Sequence, residues 1–171
     1  MSPLVGRDTE ACPGCGSVLR KVTVRADRPR RPGASTSCSA LLYITLRGAR
    51  DEAPSDSRTA AVAALADAAY AAQHPEEPAG TTAALLRLAL ALGGDLTAER
   101  TATLWARVEQ AAPLELTRPA TWRTTVADLA ADLDVVDLPT LVRSWADAVW
   151  QDWAGAHDDV RRALATLSVT A

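Results

Sequence analysis

The stretch SRTAAVAALADAAYAAQHP, residues 57–75, decides the fold class. Val62, Leu65, Ala66, Ala69 and Tyr70 recur at the i, i+3, i+4, i+7 spacing of one helical face. Alanine dominates the positions between them, and Ala surrenders no side-chain entropy on entering a helix. His74-Pro75 closes the segment, because the residue before a proline disfavours the α region. The spacing therefore predicts a helix from Ser57 to about Gln73.

Working outward, the helical pattern repeats. Ser37–Arg47 is apolar through Leu41, Leu42, Ile44 and Leu46 and is expected to stop near Gly48. Thr81–Leu92 carries Leu85, Leu86, Leu88 and Leu92, with Gly93-Gly94 as its C-terminal stop. Thr97 can cap a helix running to about Gln110. Thr125-x-x-Asp128 resembles a capping box, with Asp in place of the usual Glu, and opens a shorter helix. Pro139 suits the first turn of the last long helix, which holds Trp145, Val149, Trp150 and Trp153. A final piece follows Gly155 to about Leu167.

Residues 1–36 read differently. Cys12-Pro-Gly-Cys15-Gly is a tight turn, Val18–Val24 supports at most a short strand, and Arg25–Ser37 is rich in Arg, Pro, Gly and Ser and is expected to be a loop. The chain is thus expected to be mostly α. A single helical bundle over residues 37–171 would carry a small irregular, zinc-knuckle-like segment, a Cys-x-x-Cys knuckle and basic loop, over residues 1–36. No internal repeat appears, nor a linker long enough to separate two domains.

Composition agrees with a packed helical core. The chain has 171 residues, 48% of them hydrophobic, but aromatics are only 4% and Phe is absent, so Leu, Val and Ala must build the interior. Lys21 is the only lysine, an Arg bias typical of GC-rich bacterial genomes. Net charge is −3, unevenly spread. Residues 1–50 hold nine basic against three acidic side chains, and the remainder nine against eighteen, which suits either a binding surface or one half docking on the other. The N-terminus lacks an apolar signal core and no run of about 18 apolar residues could span a membrane, so a cytoplasmic protein is expected.

In that compartment three cysteines point to metal binding, redox chemistry or inert burial rather than to disulfides. Cys12 and Cys15, at i and i+3 across a Gly-containing turn, can converge on one tetrahedral zinc. Cys38 sits at the expected start of a helix, where the dipole favours a thiolate. A fourth ligand is needed, and His74 and His157 are the available imidazoles. His74, fixed at a helix end by the following proline, is the better placed; His157 is the alternative. Against this stand plainer readings: small buried thiols, a His74 ring bonding the last helical carbonyls, and a solvated His157 beside Asp158 and Asp159. A redox Cys-x-x-Cys ranks behind these, since no βαβ pattern surrounds it. Trp145, Trp150 and Trp153 at helical spacing read as core before they read as a ligand cage. Arg28-Pro-Arg30-Arg31 reads as a solvated loop before it reads as a phosphate contact, because no aromatic is interleaved with it. No nucleotide-binding Gly loop, nucleophile elbow or His-Glu-x-x-His motif is present.

Taken together, several of these pieces resemble the bacterial domain of unknown function 5946. The resemblance runs through Cys12-Pro-Gly-Cys15-Gly16, Gly33-Ala34-Ser35 before Cys38, and Tyr43 after it. It continues in Asp67-Ala-Ala-Tyr70-Ala-Ala-Gln73-His74-Pro75, its most specific piece, and ends in Trp145-Ala-x-Ala-Val149-Trp150-x-x-Trp153 followed by His157. Members of that family usually have a His-x-Tyr in the loop before the third cysteine and a Trp directly after it. Here the loop reads Arg-Pro-Arg-Arg-Pro and Ser39 follows Cys38, so a fourth ligand would fall to His74 or His157. The resemblance implies no known activity.

Three functions follow, in order. The first is a zinc-stabilised helical accessory or interaction protein with a protein partner. The second is a zinc-dependent enzyme with an open coordination position. The third is a nucleic-acid-binding regulator using the basic N-terminal segment, which the overall negative charge and the lack of a recognition helix keep last.

Overall fold

The computed structural model describes residues 8–23, 31–93 and 97–169. Two short strands, β1 (Thr9–Ala11) and β2 (Val18–Arg20), pair antiparallel with Glu10 opposite Leu19. The helices follow in chain order: α1 (Thr36–Thr45), α2 (Arg47–Glu52), α3 (Ser57–Gln73), α4 (Pro78–Leu92), α5 (Ala98–Trp105), α6 (Val126–Asp132), α7 (Leu138–Asp152) and α8 (His157–Val169). Single 3-10 turns occur at Val108–Gln110 and Ala154–Ala156. Among the described residues no helix is long and apolar enough to cross a membrane.

Helix α3 is the hub, packed chiefly against α4 and α7 and also against α2. Its alanines let the neighbours approach: Ala66, Ala69 and Ala72 are fully buried, beside Leu85, Leu86 and Leu88 of α4 and Val142, Ala146 and Val149 of α7. Small side chains on one helix demand large ones elsewhere if the interior is to reach native density. Trp145 and Trp153, both buried, supply that volume in a chain without Phe. Each also finds a partner for its indole N–H, as a buried Trp requires. Trp145 Nε1 donates to Gln73 Oε1 at 3.3 Å and Trp153 Nε1 to the Ala72 carbonyl at 3.1 Å. Both bonds land on the last turn of α3, next to His74.

Local signals fix the ends. Asp56 accepts the amides of Arg58 and Thr59 and so caps α3. Thr125 and Asp128 form the reciprocal capping box of α6. Asp137 caps α7, with Pro139 in its first turn. Three boundaries differ from the sequence pattern. The expected helix over 37–47 turns at Leu46 (φ −95°, ψ 3°), whose side chain is fully buried, and the chain then resumes as α2 straight past Gly48. Helix α4 starts at Pro78 rather than Thr81, because a proline in the first turn has no amide to leave unpaired. The helix capped by Thr97 ends at Trp105 and tightens into the 3-10 turn instead of running to Gln110. The strand Thr9–Ala11 was not expected; it is too short to carry a readable alternation.

Candidate metal centre

The site starts from the turn between the strands. The Cys12 amide donates to the Ser17 carbonyl at 2.8 Å, and the Gly16 amide to the Cys12 carbonyl at 2.9 Å. Gly16 has φ +77°, a left-handed conformation that a side chain would strain. This knuckle brings the Cys12 and Cys15 side chains together. Glu10 then crosses from β1 to accept the Ser37 amide at 2.7 Å, tying the hairpin to the first turn of α1. Hydrogen bonds from the Ser37 hydroxyl first and the Ser37 amide second hold the Glu10 carboxyl below its usual range. Ser35 caps α1 by accepting the Cys38 amide at 3.1 Å, and its own amide donates to Cys12 Sγ at 3.4 Å. One residue thus positions the third cysteine and solvates the first.

His74 arrives from the other side, as the C-cap of α3. Its Nδ1 lies 2.7 Å from the Tyr70 carbonyl. A carbonyl only accepts, so Nδ1 carries the proton and Nε2 is the nitrogen left to face the sulfurs. Nε2 is 3.4 Å from Cys38 Sγ. Tyr70 adds its ring, tilted by 34° against the imidazole with centroids 4.0 Å apart, and its hydroxyl, which donates to Cys38 Sγ at 3.5 Å. The knuckle must come close to fit. A Cβ on Gly14 would lie 2.2 Å from His74 Cδ2, and one on Gly33 would lie 2.8 Å from the His74 carbonyl oxygen.

The four donor atoms of Cys12, Cys15, Cys38 and His74 lie within 4.8 Å of one another. All four residues are buried, Cys38 and His74 completely. The cysteines are free thiols. Cys15 Sγ and Cys38 Sγ are 3.8 Å apart, far beyond the roughly 2.05 Å of a disulfide. That separation does match a tetrahedral zinc, where two sulfurs each about 2.3 Å from the metal lie about 3.8 Å apart. The chemistry of the donors fits as well: three soft thiolates and one imidazole, the second nitrogen of which is held by a carbonyl as metal-bound histidines usually are.

The electrostatics without metal describe a site short of positive charge. Hydrogen bonds from the neighbouring thiols of Cys15 and Cys38 pull the Cys12 thiol far below its ordinary range. The Cys38 thiol is pushed up, because it is bonded to the sulfurs of Cys12 and Cys15 and buried beside them. Burial alone would lower the His74 pKa, but hydrogen bonds to Cys12 and Cys15 and to the Tyr70 carbonyl outweigh it and raise the value to about 9. The metal-free pocket therefore holds a proton on His74 at neutral pH. A cation would replace it.

A family model, that of a family of unknown function (DUF5946), matches residues 10–154. The chain belongs to that family. No curated protein and no solved structure matches it. The segment matched to DUF5946 contains all four donors together with Trp145, Trp150 and Trp153, and stops short of His157.

His157 lies elsewhere in this DUF5946 chain. Its ring stacks on Trp150 at 4.0 Å and its Nε2 lies 2.8 Å from the Trp150 carbonyl. The structure does not bring it into the thiol group. Arg28 and Arg30 of the basic run lie outside the described residues. Arg31 is committed to the site, its Nε donating to the His74 carbonyl at 3.0 Å and pairing with Glu76 at 3.3 Å. Several supporting residues are not singled out by the sequence. Arg118 donates to the carbonyls of Pro13 and Gly14, and Trp122 Nε1 donates to the Gly14 carbonyl at 3.0 Å, so the irregular chain before α6 clamps the knuckle tip. Gln73 Nε2 donates to the Thr124 carbonyl at 2.7 Å and holds that segment against α3. The nearest signal for any of these is the Gln73-His74-Pro75 motif itself.

Proposed function

We propose that this protein is a zinc-stabilised helical accessory or interaction protein in which Cys12, Cys15, Cys38 and His74 hold one structural Zn²⁺. The observation that carries the reading is the buried convergence of four protein donors within 4.8 Å of one another. A structural zinc site fills all four positions with protein ligands, whereas a catalytic one keeps a position open for water or substrate. The donor count and burial here favour the first kind over a zinc-dependent enzyme. The bound ion would supply the positive charge that three close thiolates lack, and it would link hairpin, α1 and α3 at one point.

The experiment is hydrogen exchange of the native protein before and after a strong chelator. Loss of protection confined to the hairpin, the first turn of α1 and the last turn of α3 is expected. Unchanged protection in those three places after complete metal removal would defeat the proposal.

A further inference from the structure

Between the 3-10 turn at Val108–Gln110 and α6 the chain crosses the surface as an open, extended stretch. Residues 112–119 run without a turn or bend. Over four of them Leu114 and Leu116 are half-buried while Glu115 and Thr117 are exposed, as in an extended chain lying on a surface. Both ends of this short run are tied down. The Leu114 amide donates to Thr82 Oγ1 at 2.9 Å, and that hydroxyl spends its own proton on the Pro78 carbonyl at 2.8 Å. At the other end Arg118 Nη2 donates to the carbonyls of Pro13 and Gly14.

Between these anchors the backbone has no partner. Among the described residues the amides and carbonyls of Glu115, Leu116 and Thr117 make no hydrogen bond. In an extended chain alternate amides point the same way, so the Leu116 amide points as that of Leu114 does, toward the start of α4. A groove of about 770 Å³ opens there, between the stretch and the α3–α4 junction, lined by Pro75, Pro78, Leu114, Leu116 and Trp153. Pro75 and Pro78 have no amide to offer across it. Three charged side chains also line the groove, Glu76, Glu115 and Arg118. Glu76 is taken by Arg31 at 3.3 Å, and Arg118 is committed to the knuckle. Glu115 is exposed and in no ion pair among the described residues.

From this arrangement we infer that the groove is a docking site for an extended peptide segment of a partner protein. The segment pairs with the free backbone at Leu116, carries apolar side chains at alternate positions, and sets a Lys or Arg against Glu115. Main-chain hydrogen bonds to an open edge supply the affinity of such a complex, and alternate side chains in the groove supply its selectivity. The edge is held between two anchors before the peptide arrives, so little of its own ordering entropy opposes binding. A basic residue on the peptide gives Glu115 the partner it lacks in this chain. The inference deepens the interaction-protein reading and rests on it, but it does not require the metal.

The test selects a phage-displayed library of random dodecapeptides on the full-length protein, then titrates the most enriched peptide, carrying a fluorophore, by fluorescence polarisation. The expected consensus alternates apolar residues and holds one Lys or Arg. Leu116→Pro removes the central amide and should weaken the peptide about tenfold. Glu115→Lys, at an exposed position, should weaken it about threefold with the circular dichroism unchanged. Ile44→Ser, on the exposed face of α1, should leave the affinity as it was. No enriched sequence, or an affinity that both groove variants leave unchanged, overturns the inference. A peptide lost with Ile44→Ser instead overturns the groove and keeps the interaction reading. A dimer in sedimentation that either groove variant dissociates also overturns it, because the occupant is then a second copy. Zinc is measured on the same samples. A folded, metal-free preparation that binds the peptide as expected upholds the docking site and sinks the zinc reading; a zinc-loaded protein that binds no peptide does the reverse.

Discussion

Replacing Gly14 by alanine tests the close approach on which the site depends. The new Cβ would sit 2.2 Å from His74 Cδ2, 2.5 Å from the Gly33 carbonyl oxygen and 2.8 Å from His74 Cγ. Ordinary contact begins near 3.4 Å, so ring and knuckle must separate by about 1.2 Å. The ring has little room to yield, since Nδ1 is tied to the Tyr70 carbonyl and the Tyr70 ring packs against it with centroids 4.0 Å apart. Overpacking of this kind costs about 1–3 kcal/mol of stability. Metal binding is more sensitive, because ligand distances tolerate only about 0.2 Å. A displaced His74 is therefore expected to weaken zinc by about 100-fold, or about 2.8 kcal/mol. Gly16→Ala is the matched comparison. It strains a φ of +77° by about 1–2 kcal/mol but meets no atom within 4 Å. Chelator competition should rank wild type, Gly16→Ala, then Gly14→Ala in falling affinity. Gly14→Ala binding zinc within about threefold of wild type would refute the reasoning, and so would a Gly16→Ala affinity as low as its own.

Three further outcomes follow from the same geometry. His74→Ala should abolish stoichiometric zinc retention through gel filtration, while His157→Ala, which loses its stack on Trp150 and its bond to the Trp150 carbonyl, should retain one zinc per chain. Trp145→Ala removes a completely buried ring and its bond to Gln73 and should cost about 3–5 kcal/mol in urea unfolding at fixed metal; a loss below about 1 kcal/mol would contradict its place in the core. In the metal-free protein the His74 pKa of about 9 lies above the ordinary 6.5, so protonation stabilises the fold. That contribution is fully present below about pH 6.5 and is lost as the pH rises through about 9. Metal displaces that proton, so apparent zinc affinity should rise at least about tenfold per pH unit between pH 6 and 8, measured by competition titration.

The helical architecture was legible because its cause is local. Residues 57–75 carry stripe, cap and stop in one short run, and α3 ends where His74-Pro75 predicts. Boundaries set by distant packing were not legible. The turn at Leu46 exists because that side chain is buried in the core, and no neighbour in the sequence announces it. The site divides the same way. Cys12 and Cys15 are readable as a pair because the Gly-containing turn between them is closed by its own backbone. Bringing Cys38 and His74 to them takes the whole bundle, and in the sequence His74 is only the better placed of two candidate imidazoles, with His157 as the alternative. What separates them is the last turn of α3, which sets His74 against Gly14 of the hairpin and Cys38 of α1. The clamp of Arg118 and Trp122 on Gly14 belongs to an irregular segment with no periodicity to read.

The central claim is that one zinc ion joins the knuckle, α1 and α3 through three sulfurs and one nitrogen. X-ray absorption at the zinc edge of the natively purified protein, with elemental analysis of the same sample, addresses it directly. The account predicts one zinc per chain, with three sulfurs at about 2.3 Å and one imidazole nitrogen at about 2.0–2.1 Å. A fully folded protein without metal, or a zinc shell containing oxygen in place of the His74 nitrogen, would contradict it.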